Sequence, residues 1–314
     1  MIKSTKYYSK KINNIAEGCK QCVLGRKSVI FVTGICSKNC FYCPLSEQKK
    51  NKDVIFANER QLKNENDIDA IIEEINSCKS HGAGFTGGDP LAKLDRTINY
   101  IKLLKKKFGK KFHIHLYTSP ELISSDKLKK LNDSGLDEIR LHPDLLNDKL
   151  WNKIELFFDK NNKNKYQFKL GVEIPLIPRY EKHIKQLVDY FLPKIDFINL
   201  NELEISDTNA CHLVERKFHT KDQLSYGVAG SEEVGNKLLN YINATYPNKN
   251  VHYCTCKLKD AVQLRNRLKL RAKNTAKKFD IITEDGTFIR GVIYLPELKP
   301  EFDYKKKLEK INSN

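Results

Sequence analysis

The fold is decided by the segment that reads SVIFVTGICSKNCFYC, from Ser28 to Cys43. An apolar strand runs directly into a loop with the spacing C-x₃-C-x₂-C, formed by Cys36, Cys40 and Cys43. Three thiolates so close together can wrap one [4Fe–4S] cubane and bind three of its four irons, which leaves the fourth iron open for a ligand. A zinc site is the alternative, and its fourth ligand would be Cys19 or Cys22.

Short apolar strands alternate with helical patterns after this segment. The strand candidates are residues 28–34, 82–87, 112–118, 138–142, 168–174 and 197–201, and the helix candidates are 68–81, 94–108, 125–134 and 182–191. This alternation predicts an α/β fold with a parallel sheet, which is either open or a barrel.

Each predicted strand ends in polar or glycine-rich residues. These ends are Cys36, 87–89, 118–119, His142, Glu173 and 199–202. Because ligands of such sheets bind at the carboxyl ends of the strands, we expect one active site there. For any single end, the alternative is that polar residues merely begin a loop.

The cysteine loop and the end of the second strand resemble the radical S-adenosylmethionine (SAM) superfamily. The resemblance includes the aromatic Tyr42 before the last cysteine. Gly87-Gly88-Asp89-Pro90 looks like the GGE-type motif of that family, which receives the methionine ammonium of SAM, with Asp89 where Glu is commoner.

Two further motifs narrow the resemblance. Residues 173–178 (EIPLIP) are similar to the R-x-P-x-I-P stretch of pyruvate formate-lyase-activating enzymes, with Glu173 in place of the arginine, and residues 137–140 (DEIR) are similar to their D-x-x-K/R strand. The resemblance is strongest to an archaeal group related to those enzymes and covers about residues 15–295. It implies a partial (β/α)₆ barrel, a [4Fe–4S] cluster and SAM, whose reductive cleavage gives a 5′-deoxyadenosyl radical.

The resemblance also implies roles for individual residues, Tyr42 beside the adenine and Tyr117 and Thr118 at the ribose. The cofactor-binding candidates are Tyr42, Gly87, Gly88, Asp89, Pro90, Tyr117, Thr118 and Asn199. Strand alternation places Asn199 and Asn201 on the lumen face, with Glu202 and Glu204 near the rim; surface hydrogen bonding is the alternative. The catalytic candidates are Glu173, Arg140, His142, Asn201 and Glu202, and a structural role is the alternative for His142.

Four of the remaining cysteines form two pairs, Cys19/Cys22 and Cys254/Cys256. Together they predict a second site that holds zinc or another iron–sulfur cluster, in which His252 could replace one thiolate. Free buried thiols are the alternative. Cys78 and Cys211 are predicted to be small core residues. The domain organisation follows as an N-terminal extension (1–26), the barrel (27–250) and a C-terminal extension (251–314) with a basic helix and a β-hairpin.

The net charge of +17 favours an anionic partner such as RNA, although a lysine-rich coding bias could also produce it. Residues 257–278 predict a helix whose apolar face holds Ala261, Leu264, Leu268, Ala272 and Ala276. Seven basic residues surround that face, namely Arg265, Arg267, Lys269, Arg271, Lys273, Lys277 and Lys278. They would lie on phosphates, or else on a solvated surface. A hairpin of residues 279–283 and 287–294 is predicted to help close the barrel.

The sequence therefore predicts a radical SAM enzyme that modifies RNA, most simply tRNA. The alternative is an enzyme that modifies a protein or peptide, such as a glycyl-radical activase. A non-catalytic, metal-stabilised RNA-binding protein is disfavoured, because it needs no open iron. A one-electron donor such as ferredoxin or flavodoxin is expected. Residues 1–15 lack the apolar stretch of a secretory signal and no apolar run is long enough for a bilayer, which predicts a cytoplasmic protein without membrane contact.

Overall fold

The computed structural model describes residues 1–293 of the chain. Its strands are β1 (Ile2–Ser4), β2 (Lys10–Ile12), β3 (Lys27–Thr33), β4 (Phe56–Ala57), β5 (Arg60–Gln61), β6 (Gly82–Gly87), β7 (His113–Thr118), β8 (Glu138–Leu141), β9 (Lys169–Leu176), β10 (Phe197–Glu202), β11 (Asn250–Cys254), β12 (Ile281–Ile282) and β13 (Phe288–Ile289). Its α-helices are α1 (Glu17–Val23), α2 (Ile68–Ser77), α3 (Leu94–Phe108), α4 (Ser125–Asp133), α5 (Glu181–Phe191), α6 (Ala210–Glu215), α7 (Ser231–Thr245), α8 (Cys256–Leu258) and α9 (Arg265–Thr275).

One sheet organises the fold, with the strand order β1-β2-β11-β10-β9-β8-β7-β6-β3-β4-β5. The seven consecutive strands β11-β10-β9-β8-β7-β6-β3 are parallel to one another, and β2 and β4 flank them in antiparallel pairings. The sheet stays open, because β3 pairs onward with β4 and β11 pairs onward with β2. The predicted α/β fold with a partial barrel is confirmed.

The apolar periodicity explains the helices that cover this sheet. In α5, Ile184, Leu187, Val188 and Phe191 are buried at three- and four-residue steps, so one face of the helix packs on the strands. All six predicted strands and all four predicted helices are present, with ends that differ by a few residues. Strand β11 is a seventh parallel strand that the prediction lacks, so the predicted boundary at residue 250 falls on the first residue of a strand of the same sheet.

The predicted N-terminal extension is part of the barrel. Strand β2 pairs with β11, and α1 lies in the lumen, where the Gly18 N–H donates to Glu138 Oε2 at 3.3 Å. A Cβ atom at Gly18 would lie 2.5 Å from the side chains of both Arg140 and His115. A glycine at this position therefore lets α1 approach the inner wall of the sheet.

The C-terminal segment departs from the predicted helix. A π-helical stretch, Lys259–Leu264, separates α8 from α9 and shifts the apolar register, so that Leu264 is 37% exposed while Val262 is buried. The hairpin β12–β13 forms a separate two-stranded sheet, so the prediction that it helps close the barrel is wrong. Residue 294, which that hairpin was predicted to include, and the tail beyond it lie outside the described residues. Within residues 1–293, none of the helices has the length and apolarity that crossing a membrane requires.

Candidate functional site

A cavity of about 260 Å³ opens at the carboxyl ends of the parallel strands. On one side it is lined by the cysteine loop and the ends of β6 and β7, which we call the cysteine side. On the other side it is lined by the ends of β9 and β10 with Glu173, Glu202 and Glu204, which we call the carboxylate side. The predicted single site at the strand ends therefore corresponds to a real cavity.

The three cysteines of the loop after β3 all line this cavity as free, partly exposed thiols. Burial raises the pKa of the Cys36 and Cys40 thiols above the ordinary cysteine value. Among residues 1–293, no three Cys, His, Asp or Glu side chains surround a single ion as they stand. A cubane binds each thiolate to a different iron, so its ligands need not converge on one point. Three free thiols around one open cavity suit such a cluster.

The end of β6 packs its backbone against the start of the cysteine loop. Gly87 has φ +149°, and a Cβ atom there would overlap the Thr33 carbonyl oxygen; one at Gly88 would overlap that of Ile35. The N–H groups of Gly88 and Asp89 donate to those same two carbonyls, at 2.8 and 2.9 Å. Because these N–H groups are engaged, the groups of this segment that could bind an ammonium are its backbone carbonyl oxygens.

The Asp89 carboxylate serves contacts within the protein. It accepts hydrogen bonds from Thr118 Oγ1 at 2.8 Å, the Ser119 N–H at 2.9 Å and the Leu91 N–H at 3.0 Å. Only 2% of the residue is exposed, and this burial raises its pKa against the hydrogen bonds that favour the ion. Asp89 thus joins the ends of β6 and β7 and caps the turn that begins at Pro90.

Tyr42 and His142 meet across the cavity. Tyr42 Oη lies 3.0 Å from His142 Nε2, and His142 Nδ1 lies 2.9 Å from the main-chain oxygen of Glu173. Burial lowers the pKa of His142, which keeps the ring neutral at neutral pH. Both ring nitrogens are therefore already engaged by the protein.

Glu173 is the centre of a buried polar network. Its Oε2 accepts from Arg140 Nη1 and Asn199 Nδ2, both at 2.8 Å, and its Oε1 accepts from Asn201 Nδ2 at 2.9 Å. Burial opposes the charge of Glu173, but Arg140 and the two amides outweigh it and lower the pKa. The side chain is 16% exposed toward the cavity, so the wall presents an ionised carboxylate.

Two predicted site residues, Arg140 and Asn199, lie beneath this wall instead of lining the cavity. Arg140 is 2% exposed and bridges Glu138 at 2.5 Å to Glu173, and it also donates to Tyr117 Oη at 3.0 Å. Asn199 is 1% exposed. Both side chains contact Glu173 from beneath the wall, Arg140 through an ion pair and Asn199 through a hydrogen bond, and their predicted roles in catalysis and cofactor binding stay predictions.

The rim of the carboxylate side contains a cation that the sequence pattern missed. Lys259, the first residue of the π-helical stretch, lines the cavity, and its Nζ lies 3.3 Å from Glu204 Oε2. Glu202 is buried and accepts from Lys221 Nζ at 2.8 Å and the Cys256 N–H at 2.7 Å. A π-helix cannot be recognised from apolar spacing, so no signal pointed to Lys259.

The second group of cysteines is only partly assembled. Cys19 lies in the lumen, where Arg140 Nη2 and Asn199 Nδ2 donate to its sulfur at 3.4 and 3.3 Å. Burial raises the pKa of Cys19 to about 12. The Cys256 sulfur instead lies 3.9 Å from the Glu202 and Leu203 carbonyls. The second metal site stays a prediction.

Two smaller expectations are corrected. Cys78 is buried as predicted, but Cys211 is exposed on α6. The basic helix turns two of its arginines toward the protein, since Arg271 Nε lies 3.0 Å from Glu74 Oε1 and Arg267 pairs with Glu59. These two guanidinium groups neutralise carboxylates of this chain, so they are not free for phosphates.

Comparison with known proteins gives one family match and several relatives. Residues 30–196 match the model of the Radical SAM superfamily. A protein of Methanocaldococcus jannaschii named "Putative glycyl-radical enzyme activating enzyme" is 45% identical over 312 residues, which are 98% of this chain and 80% of that protein.

The solved structures that resemble this chain are distant. The radical S-adenosylmethionine methyltransferase TsrM of Kitasatospora setae is 10% identical with a TM-score of 0.45, over 86% of this chain and 57% of that one. Methylornithine synthase is 12% identical with a TM-score of 0.45, over 76% and 72%. The chain thus spans little more than half of the methyltransferase.

Proposed function

The chain belongs to the radical SAM superfamily, in the archaeal group related to the pyruvate formate-lyase-activating enzymes, and from this premise we propose that it activates a glycyl-radical enzyme. In this proposal it removes one hydrogen atom from the α-carbon of a glycine in a partner protein. The observation that carries the proposal is the 45% identity, over 98% of the chain, with a relative whose name describes such an enzyme.

The cysteine side supplies the means for this reaction. Cys36, Cys40 and Cys43 would hold a [4Fe–4S] cluster, and the backbone carbonyls at Gly87 and Gly88 would accept the ammonium of SAM. When bound, these two cofactors supply a 5′-deoxyadenosyl radical, which takes the hydrogen atom and becomes 5′-deoxyadenosine. The electron for each cleavage would come from a ferredoxin or flavodoxin.

The carboxylate side supports a peptide as the substrate. Glu173, Glu202 and Glu204 line it, each paired with a cation of this chain (Arg140, Lys221 and Lys259), and their carboxylate oxygens can accept hydrogen bonds from peptide N–H groups. A glycine has no side chain, so an extended peptide can bring its α-carbon into a cavity of about 260 Å³ that SAM must share. Glu173 Oε1 accepts one hydrogen bond from Asn201 and has a lone pair for a peptide N–H.

Modification of tRNA is less well supported. It was predicted from the net charge and from the basic helix, but Arg267 and Arg271 of that helix pair with Glu59 and Glu74. We therefore treat RNA as an outcome of the test below and not as a second proposal.

The proposal can be tested with cells of the source organism grown on glycine deuterated at the α-carbon. The anaerobically reconstituted enzyme is mixed with their extract, dithionite and SAM, and deuterium in 5′-deoxyadenosine is measured by mass spectrometry. We expect deuterium transfer that survives ribonuclease and is abolished by protease, together with the doublet of a glycyl radical in the electron paramagnetic resonance (EPR) spectrum.

The matched control is the same mixture with the Cys36→Ala variant, which should give no transfer. Unlabelled 5′-deoxyadenosine whose formation is abolished by ribonuclease pretreatment of the extract, and survives its protease pretreatment, would replace the proposal with RNA modification. Steady formation of unlabelled 5′-deoxyadenosine with every fraction would also contradict a glycine substrate.

A further inference from the structure

Tyr42 joins the cysteine loop to two other parts of the chain. It lies between Cys40 and Cys43, and its hydroxyl is 3.0 Å from His142 Nε2 at the end of β8. Its main-chain oxygen accepts a hydrogen bond from Asn209 Nδ2 at 3.1 Å. Two side chains from distant segments therefore hold one residue of the loop, one by its side chain and the other by its backbone.

The contact with His142 has a defined direction. His142 Nδ1 lies 2.9 Å from the main-chain oxygen of Glu173, and a carbonyl oxygen only accepts, so Nδ1 carries the hydrogen. In the neutral ring Nε2 is then an acceptor, and the Tyr42 hydroxyl donates to it. The chain of contacts runs from the loop through Tyr42 and His142 to the backbone of β9.

Asn209 is held as firmly as His142. It is 1% exposed, and its Nδ2 also donates to the Glu204 main-chain oxygen at 3.0 Å. Its Oδ1 accepts from the Ser206 N–H at 2.8 Å. With donor and acceptor both engaged, the amide has one orientation, so it fixes Tyr42 relative to the segment that follows β10.

We propose that His142 and Asn209 are positioning residues that clamp Tyr42 and thereby set the cysteine loop, and the cluster it holds, relative to the SAM cavity. Both act through Tyr42. Both are anchored on the carboxylate side, His142 at Glu173 and Asn209 at Glu204. The clamp thus links the carboxylate side of the cavity to the cysteine side. The inference requires only membership of the radical SAM superfamily, so it stands whether the substrate is a protein or RNA.

The hydroxyl contact is tested by variants at its two residues. Tyr42→Phe removes the hydroxyl and keeps the ring, His142→Ala removes its partner, and His142→Gln keeps a donor and an acceptor. Each reconstituted, reduced protein is titrated with SAM, and the EPR spectrum of the cluster records the binding. The loss of one buried hydrogen bond should weaken SAM binding about three- to tenfold.

The double variant separates a clamp from general damage. If Tyr42 and His142 act through one contact, the double variant Tyr42→Phe with His142→Ala should bind SAM with an affinity within about twofold of that of either single variant. His142→Gln should recover most of the SAM affinity that His142→Ala loses. Asn209→Asp cannot donate to the main-chain oxygen of Tyr42, so adding it to the double variant should weaken SAM binding further. Iron content should stay at the wild-type level throughout.

The control is Tyr100→Phe, which removes a buried hydroxyl that donates to Glu65 and lies away from the cavity. It should lower thermal stability without changing SAM affinity or the EPR spectrum with SAM. The clamp is refuted if Tyr42→Phe and His142→Ala behave like this control, or if their effects on SAM binding add in the double variant.

Discussion

The two sides of the cavity are built in different ways, and Asp89 and Glu173 show the contrast best. Asp89 follows the end of β6 and is buried, whereas Glu173 lies within β9 and is partly exposed to the cavity. On the cysteine side, burial raises the pKa of Asp89, whose partners are a hydroxyl and two backbone N–H groups. On the carboxylate side, Arg140 and two amides lower the pKa of Glu173 against the effect of burial.

This difference shows which acid can act on a ligand. Asp89 is 2% exposed and joins two strands. The Glu173 side chain is 16% exposed and faces the cavity, and its ion pair with Arg140 stabilises its charge. In the proposed function, the cysteine side would offer thiols and backbone to the cofactors, and the carboxylate side would offer fixed charges to the substrate.

The largest effect is expected where the cysteine side is broken outright. Cys36→Ala, Cys40→Ala and Cys43→Ala together should remove one cubane, about four irons per chain, and abolish SAM cleavage. Iron analysis after anaerobic reconstitution checks this. Cys211→Ala, which changes an exposed thiol on α6, should keep both properties. Wild-type iron content in the triple variant would contradict the assignment.

The next effect tests the close backbone packing of the same side. In Gly88→Val, the new side chain would overlap the Ile35 carbonyl oxygen and displace the cysteine loop. SAM binding should weaken on the order of 100-fold, since overpacking costs up to about 3 kcal/mol. Calorimetric titration with SAM measures the change. Gly291→Ala is the control, because a Cβ atom there meets nothing within 4 Å among residues 1–293.

Glu173→Gln tests the charge of the carboxylate side. It leaves the buried Arg140 paired with Glu138 alone and should cost about 3 kcal/mol of unfolding free energy at pH 7. Because folding lowers the pKa of Glu173 below 4.5, its charge stabilises the fold above pH 4.5 and this contribution is lost as the pH falls through the folded value. The difference from wild type, measured by urea unfolding, should therefore shrink in acid.

Asp89→Asn is the matched comparison with the opposite sign. Folding raises the pKa of Asp89 above 3.8, so wild type gains stability from its protonation as the pH falls, and Asp89→Asn does not. The free energy of unfolding of wild type should therefore rise relative to that of Asp89→Asn as the pH falls. Parallel pH profiles for the two variants would show that the two acids do not differ as described.

The smallest effect on SAM cleavage is expected far from both sides of the cavity. Arg267→Ala with Arg271→Ala removes two ion pairs of α9 that each contain a buried side chain, Glu74 at 4% exposure and Arg267 at 13%, so it should cost about 3 kcal/mol of unfolding free energy. SAM cleavage should not change. Measuring tRNA affinity over a range of salt concentrations tests whether RNA is the partner. If the helix bound phosphates, the tRNA affinity of the variant would depend less steeply on salt than that of wild type. The proposal expects equally weak binding by both proteins.

Much of the cysteine side could be predicted from the sequence. The C-x₃-C-x₂-C spacing and the glycines at the end of β6 are local patterns, and β6 was placed at its observed residues. Apolar alternation also placed Asn199 and Asn201 on one face of β10, where both contact Glu173. Local periodicity was enough for these features because each lies within one element.

The carboxylate side depends on pairings that local sequence does not contain. Nothing in the sequence indicates that Arg140 is covered by α1 and neutralises Glu173, since those residues are 33 positions apart. Lys259, at the start of the π-helical stretch, lines the cavity, and no local pattern marks it as a site residue. Net charge also misled the reading of the basic helix, because a charge count does not reveal that Glu59 and Glu74 lie opposite its arginines.

The proposal that the cysteine side binds the cofactors and the carboxylate side binds the substrate is tested most directly by comparing deuterium transfer in wild type and Glu173→Gln. Protein carrying α-deuterated glycine serves as the substrate, and total 5′-deoxyadenosine without substrate is measured in parallel. We predict that Glu173→Gln still cleaves SAM without substrate at a rate within about threefold of wild type, while deuterium transfer falls at least tenfold because a hydrogen bond to the peptide is lost. Equal loss of both activities would show that Glu173 serves SAM, and full deuterium transfer in the variant would show that it does not select the substrate.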